Sequence, residues 1–170
     1  MTQISETMNQ TVKSKTKKSG KYLTFSLAEE EYGIGILKVK EIIGMMAITS
    51  VPRTPDFVKG VVNLRGKVIP VVDLRLKFDM ESIPYSDRTS IIVVEIGSDS
   101  KIVYIGIVVD SVSEVLNVRK EEIEEPPTFG TKLDTDYILG MAKMEGGIKI
   151  LLDIDKVLSA HEIHTLKKSA

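Results

Sequence analysis

Two histidines, His161 and His164, stand three residues apart near the end of a 170-residue chain that has no cysteine. On a helix, that spacing could place both on one metal ion. Two ligands fall short of the four that a structural zinc site takes, and no cysteine or carboxylate constellation completes the set. A surface position on a fraying terminal helix is the simpler reading. Asp73 and Asp153 could act as paired carboxylates in acid–base work. Each, however, follows an apolar strand-like run and precedes a short helical pattern, where a carboxylate accepts hydrogen bonds from free backbone N–H groups. Asp110 and Glu114 read as turn or surface groups. Gly33-Ile34-Gly35 lacks the third glycine and the following helix of a dinucleotide-binding turn. Strand glycines under close backbone approach account for it better. No Ser-His-Asp ordering can be assembled, since both histidines lie in the tail. The chain therefore reads as one without a catalytic centre, cofactor or metal.

The elements behind these residues are short and mostly extended. Hydrophobic residues make up 42% of the chain and aromatics only 5%, with no Trp. The core must be built of Val, Ile and Leu, which favours strands. The net charge of −1 gives no global pull toward nucleic acid. No apolar run reaches the length of a membrane helix, and the N-terminus lacks the apolar core of a secretory signal. The expectation is a soluble intracellular protein. Residues 1–20 are polar and predict a disordered tail, whose cluster Lys13, Lys15, Lys17 and Lys18 reads as solvated. From Lys21 onward, apolar residues alternate with polar ones, and about five short strands fit before residue 75. Gly60–Leu64 and Lys67–Leu74 are joined by Arg65-Gly66, a good place for a tight hairpin turn. Strands resume at Thr89–Ile96, Lys101–Val109, Val112–Val118, Tyr137–Met144 and Ile148–Leu152. Arg119–Leu133 reads as a loop around Pro126-Pro127, and Asp153–Lys168 as a C-terminal helix.

The second half repeats the first. Gly33-Ile34 and Glu41-Ile42-Ile43 recur as Gly106-Ile107 and Glu114-Val115-Leu116, at an offset of 73. Gly60, Gly66 and Asp73 recur as Gly140, Gly146 and Asp153, at an offset of 80. The seven extra residues fall in the Pro126-Pro127 region. Two copies of a small unit, each marginal alone, should pack on one another and leave a groove at their boundary. The copies differ in their polar residues: Arg65 stands opposite Glu145 and Lys67 opposite Gly147.

Glu31-Tyr32-Gly33-Ile34, Val39-Lys40-Glu41-Ile42-Ile43, the run Lys59 to Leu74 and Gly106-Ile107-Val108-Val109-Asp110 together resemble CheW-domain proteins, over about Lys21 to Leu158. The resemblance implies a mainly β fold of two five-stranded SH3-like β-barrels packed together, with a C-terminal helix. The domain would span 21–160, with a first barrel at about 30–75 and a second at about 85–153, strands being open to exchange between them. Residues 161–170 would be the frayed helix end. It also implies an adaptor without catalysis, coupling chemoreceptor tips to the regulatory domain of the histidine kinase CheA, cytoplasmic and recruited to arrays at the inner membrane. Receptor-binding positions carry over to Val39, Glu41, Ile42, Arg65 and Val115, lining a groove between the barrels. Arg65 could alternatively cap its hairpin or hold Glu41. Kinase-binding positions carry over to Glu124, Pro126 and Phe129, with Phe129 either an exposed anchor or tucked onto its own barrel. Glu124 stands where some relatives carry a basic residue. The alternative function is a small-ligand or nucleic-acid-binding barrel, which would show a deep pocket or a basic face.

Overall fold

The computed structural model describes residues 18–97, 101–127 and 136–158. The polar tail up to Lys17, Phe129, both histidines and the expected C-terminal helix beyond Leu158 lie outside the described residues. Among the described residues, eleven strands form two sheets. They are β1 (Gly20–Leu27), β2 (Glu30–Gly35), β3 (Val39–Gly44), β4 (Val58–Leu64), β5 (Lys67–Asp73), β6 (Ser90–Ile96), β7 (Val103–Val109), β8 (Ser111–Val118), β9 (Ile123–Glu124), β10 (Ile138–Met144) and β11 (Gly147–Leu152). Two short helical turns, α1 (Leu74–Lys77) and α2 (Ile154–Val157), follow β5 and β11. Asp73 and Asp153 cap them, accepting from the N–H of Arg75 at 3.0 Å and of Asp155 at 3.1 Å. Part of the expected loop after Arg119 is ordered as a 3-10 turn and strand β9.

The first sheet runs β8-β1-β2-β11-β10-β9 and the second β3-β6-β7-β5-β4. With the repeat overlaid, β1 to β5 correspond to β6, β7, β8, β10 and β11. The two orders then coincide, apart from β9. Each sheet thus holds the opening hairpin of one repeat and the remaining strands of the other. The parallel ladders join them: β5 beside β7, and β11 beside β2. The boundary between the sheets is therefore not a single boundary along the chain.

The fold is mainly β, but the ladders are open rather than closed rings. In the second sheet the closing segment carries Pro52 and Pro55, which donate no ladder hydrogen bond. It makes a single bridge, Thr49 with Val61. Glu124 pairs with Met141 at the equivalent place in the first sheet. This crossing explains the paired Gly60 and Gly140. A Cβ on Gly60 would lie 2.0 Å from the Thr49 carbonyl oxygen, and one on Gly140 would lie 2.6 Å from the Ile123 side chain.

The largest core lies where the sheets face each other. Leu23, Phe25 and Ile34 from the first sheet meet Ile92, Val94 and Ile107 from the second. The intervening residues of β6, Ile91 and Val93, face the other way into a smaller core with Val62, Ile69 and Val71. Its two buried faces account for the unbroken run Ile91-Ile92-Val93-Val94.

A carboxylate-centred clamp recurs in both repeats with its polarity reversed. Asp110, after β7, takes two hydrogen bonds of 2.7 Å from the Arg75 guanidinium on α1, and one of 2.9 Å from Ala28 N–H after β1. Asp155 on α2 pairs with Lys38 after β2 at 2.6 Å and accepts from Gly97 N–H after β6 at 2.9 Å. The cation sits on the helical turn in one copy and after the hairpin in the other. Asp110 is thus a three-way tie in the fold rather than a simple turn residue.

Candidate functional site

Arg65 and Gly66 form the two-residue turn between β4 and β5, with Leu64 paired to Lys67. Both have positive φ, 51° and 85°. Asn63 Oδ1 accepts from Gly66 N–H at 2.9 Å and braces the turn. Glycine adopts that conformation freely. For arginine it costs about 1 kcal/mol, a cost that the glycine at the second position gave no sign of.

Glu41 reaches Arg65 because β3 is irregular. Val39 pairs with Val94 and Glu41 with Val93, so Lys40 is an extra residue in the ladder. Such a bulge re-aims the side chains that follow it. Val39, like Val94, packs against the intersheet core, whereas Glu41 lies on the side of Val93. Its carboxylate pairs with the Arg65 guanidinium. The pair is open to solvent, Arg65 71% and Glu41 30% exposed, so it contributes about 0–1 kcal/mol to stability. It is not a buried pair whose loss would unfold the chain.

The pair borders a groove of about 370 Å³ floored by Leu64, Ile69 and Val93. Lys40, Lys67 and Tyr104 complete its walls. The Lys40 and Lys67 ammonium groups stand 5.6 and 5.9 Å from the Tyr104 ring centroid. The sequence reading did not single out Lys40 or Tyr104. The available signal was the repeat, in which Lys67 replaces a glycine.

The other positions carried over from the resemblance lie elsewhere. Ile42, opposite Ile92, is exposed on the intersheet side of β3. Val115, its repeat counterpart, is exposed on β8 opposite Leu23. β3 and β8 are edge strands of different sheets. The bulge therefore divides the set, with Val39 and Ile42 on one face of β3 and Glu41 with Arg65 on the other. Leu37, in the turn before β3, was not anticipated and is 91% exposed. Glu124 lies on β9 and pairs with Lys143 at 2.5 Å. Pro126 is half-buried.

The two aspartates first considered as a catalytic pair cap helical turns attached to different sheets. Asp73 also accepts from the Tyr85 hydroxyl at 2.8 Å. Burial first, and then this bond, push that hydroxyl far above its usual value, so Tyr85 stays a donor. Among the described residues, no group of three or more His, Cys, Asp or Glu is placed to hold a metal ion.

Residues 21–162 match the CheW-like domain. The chain is 44% identical over 142 residues to the chemotaxis protein CheW of Klebsiella aerogenes, covering 84% of this chain and 83% of that protein. It is 33% identical over 147 residues to the chemotaxis protein CheW of Treponema pallidum, covering 85% of each. Among solved structures, the scaffolding protein TtCheW from Thermoanaerobacter tengcongensis matches with a TM-score of 0.73 at 37% identity, over 85% of this chain and 95% of that one. With its duplicated β architecture and these relatives, the chain belongs to the CheW-like family of chemotaxis scaffold proteins.

Proposed function

We propose that the chain is a non-catalytic cytoplasmic adaptor that couples chemoreceptor tips to the histidine kinase CheA in signalling arrays. One region holds the receptor hairpin, through Arg65 and Glu41 on one face of β3, Val39 and Ile42 on the other, and Val115 on β8. A second holds the kinase regulatory domain through Glu124, Pro126 and Phe129. Tethering both raises the effective concentration of one for the other. The observation that carries the reading is Arg65. A solvent-exposed arginine occupies a left-handed backbone position that glycine or asparagine would hold more cheaply, and its ion pair adds little to the fold. A residue held at a conformational cost, with its side chain largely exposed, fits a contact with a partner. Among the described residues, no helix is long and apolar enough to cross a membrane, which is compatible with recruitment through receptors.

The test is co-sedimentation of the full chain with vesicles bearing receptor signalling fragments, with and without kinase. Wild type should recruit kinase to the vesicles. Arg65→Asn, which suits the turn, should lose receptor binding by about tenfold or more, a change of about 1.4 kcal/mol, while still binding kinase in solution. A chain that binds neither partner would end the proposal.

A further inference from the structure

The groove beside Arg65 has a counterpart in the other repeat, and the two carry opposite charge. In the second sheet the positions are Lys40, Glu41, Arg65, Lys67 and Tyr104, around an apolar floor that includes Ile69. At the same offsets of 73 and 80, the first sheet carries Ser113, Glu114, Glu145, Gly147 and Glu31, with Lys149 in place of Ile69. Three cations and one carboxylate thus stand opposite three carboxylates and one cation. The backbone plan is shared, so the inversion is a matter of side chains alone.

The cations are unevenly satisfied. Arg65 is paired with Glu41. Lys40 and Lys67 each face the Tyr104 ring, and neither has a carboxylate within ion-pair distance among the described residues. Ammonium groups near an aromatic face are attracted to it, so the Tyr104 ring biases both lysines toward the walls of the groove. In the first sheet, Glu31 is already engaged by the Ser26 and Ser113 hydroxyls, at 3.0 and 3.1 Å. One end therefore offers two positioned, unpaired cations above an apolar floor, and the other offers carboxylates.

We propose that this groove accepts an acidic helical segment of the receptor hairpin, its carboxylate seated between Lys40 and Lys67 and an apolar neighbour on Leu64 and Ile69. This rests on the receptor-coupling reading above and adds the chemistry of the partner. The charge inversion directs such a segment to the second sheet, since like charges at the equivalent end of the first would repel it.

The experiment titrates the full chain against vesicles carrying a chemoreceptor signalling tip from the same genome, at low and high salt. Lys40→Ala with Lys67→Ala should weaken receptor binding about tenfold at low salt, flatten its salt dependence and leave kinase binding unchanged. Lys40→Arg with Lys67→Arg should restore both affinity and salt dependence. Neutralising acidic residues of the tip one at a time should find one whose loss makes the lysine variants equal to wild type. If the double alanine variant binds as wild type does, with the same salt slope, while Arg65→Asn still loses binding, the acidic-segment proposal falls and the coupling reading stands. If wild type does not bind the tip, both fall. If duplex DNA competes for the groove with similar affinity, a general polyanion site replaces the helical segment.

Discussion

Arg75 and Arg65 each meet a carboxylate from another segment, and the two pairs have different consequences. Arg75 lies against Asp110 with both groups mostly buried, 13% and 20% exposed, through two hydrogen bonds of 2.7 Å. Asp110 also holds Ala28 N–H, and Arg75 donates to the Glu81 carbonyl at 3.0 Å. Removing one partner leaves a mostly buried charge with little access to water. Arg65 and Glu41 make one contact at a hairpin tip, where solvent can replace either partner. The same chemistry ties the repeats together in one place and leaves a charged, replaceable surface in the other. Burial and the number of further bonds make the difference, not the residue types.

The largest effect should come from Arg75→Ala, which strands Asp110 and is expected to cost about 3 kcal/mol. Urea unfolding would measure it. A loss no larger than that of Arg65→Ala would erase the distinction between the pairs. Acid sharpens the same contrast. Burial alone would raise the Asp110 carboxyl, but hydrogen bonds from Arg75 and Ala28 N–H, with the guanidinium charge, outweigh it and hold the group below the usual carboxylate value. A carboxyl depressed in the folded state adds stability above its unfolded value, near pH 4, and loses it as pH falls through the folded value. Wild type should therefore lose stability below about pH 4 more steeply than Asp110→Asn, which starts weaker at neutral pH. Parallel acid-unfolding curves for the two would exclude Asp110 as the sensitive group. The smallest effect is expected at the hairpin tip. Arg65→Asn loses an exposed pair of about 0–1 kcal/mol but relieves about 1 kcal/mol of turn strain, so its melting temperature should stay near that of wild type. A large drop would make Arg65 part of the fold.

Much of this architecture was legible from residue order. The aliphatic alternation, the Arg65-Gly66 turn and the repeat at offsets of 73 and 80 rest on local spacing, and each corresponds to an observed element. The paired aspartates were legible as caps because a cap is satisfied within two residues. Asp110 does lie at a turn, but its ties were not legible because its partners, Arg75 and Ala28, are 35 and 82 residues away. The division of the expected contact residues by the bulge at Lys40 was hidden for a similar reason. One unpaired residue in a ladder reverses the face of all that follow, yet leaves no mark in composition.

Periodicity and duplication were enough to specify an aliphatic, mainly β protein built from two copies of one unit, because strand alternation and turn chemistry act over a few residues. Which strands share a sheet, which arginine is buried, and which charged side chains line one groove were settled by long-range pairing. Those properties depend on what each side chain meets after the opening hairpins have been exchanged between the sheets, and no stretch of local sequence contains that.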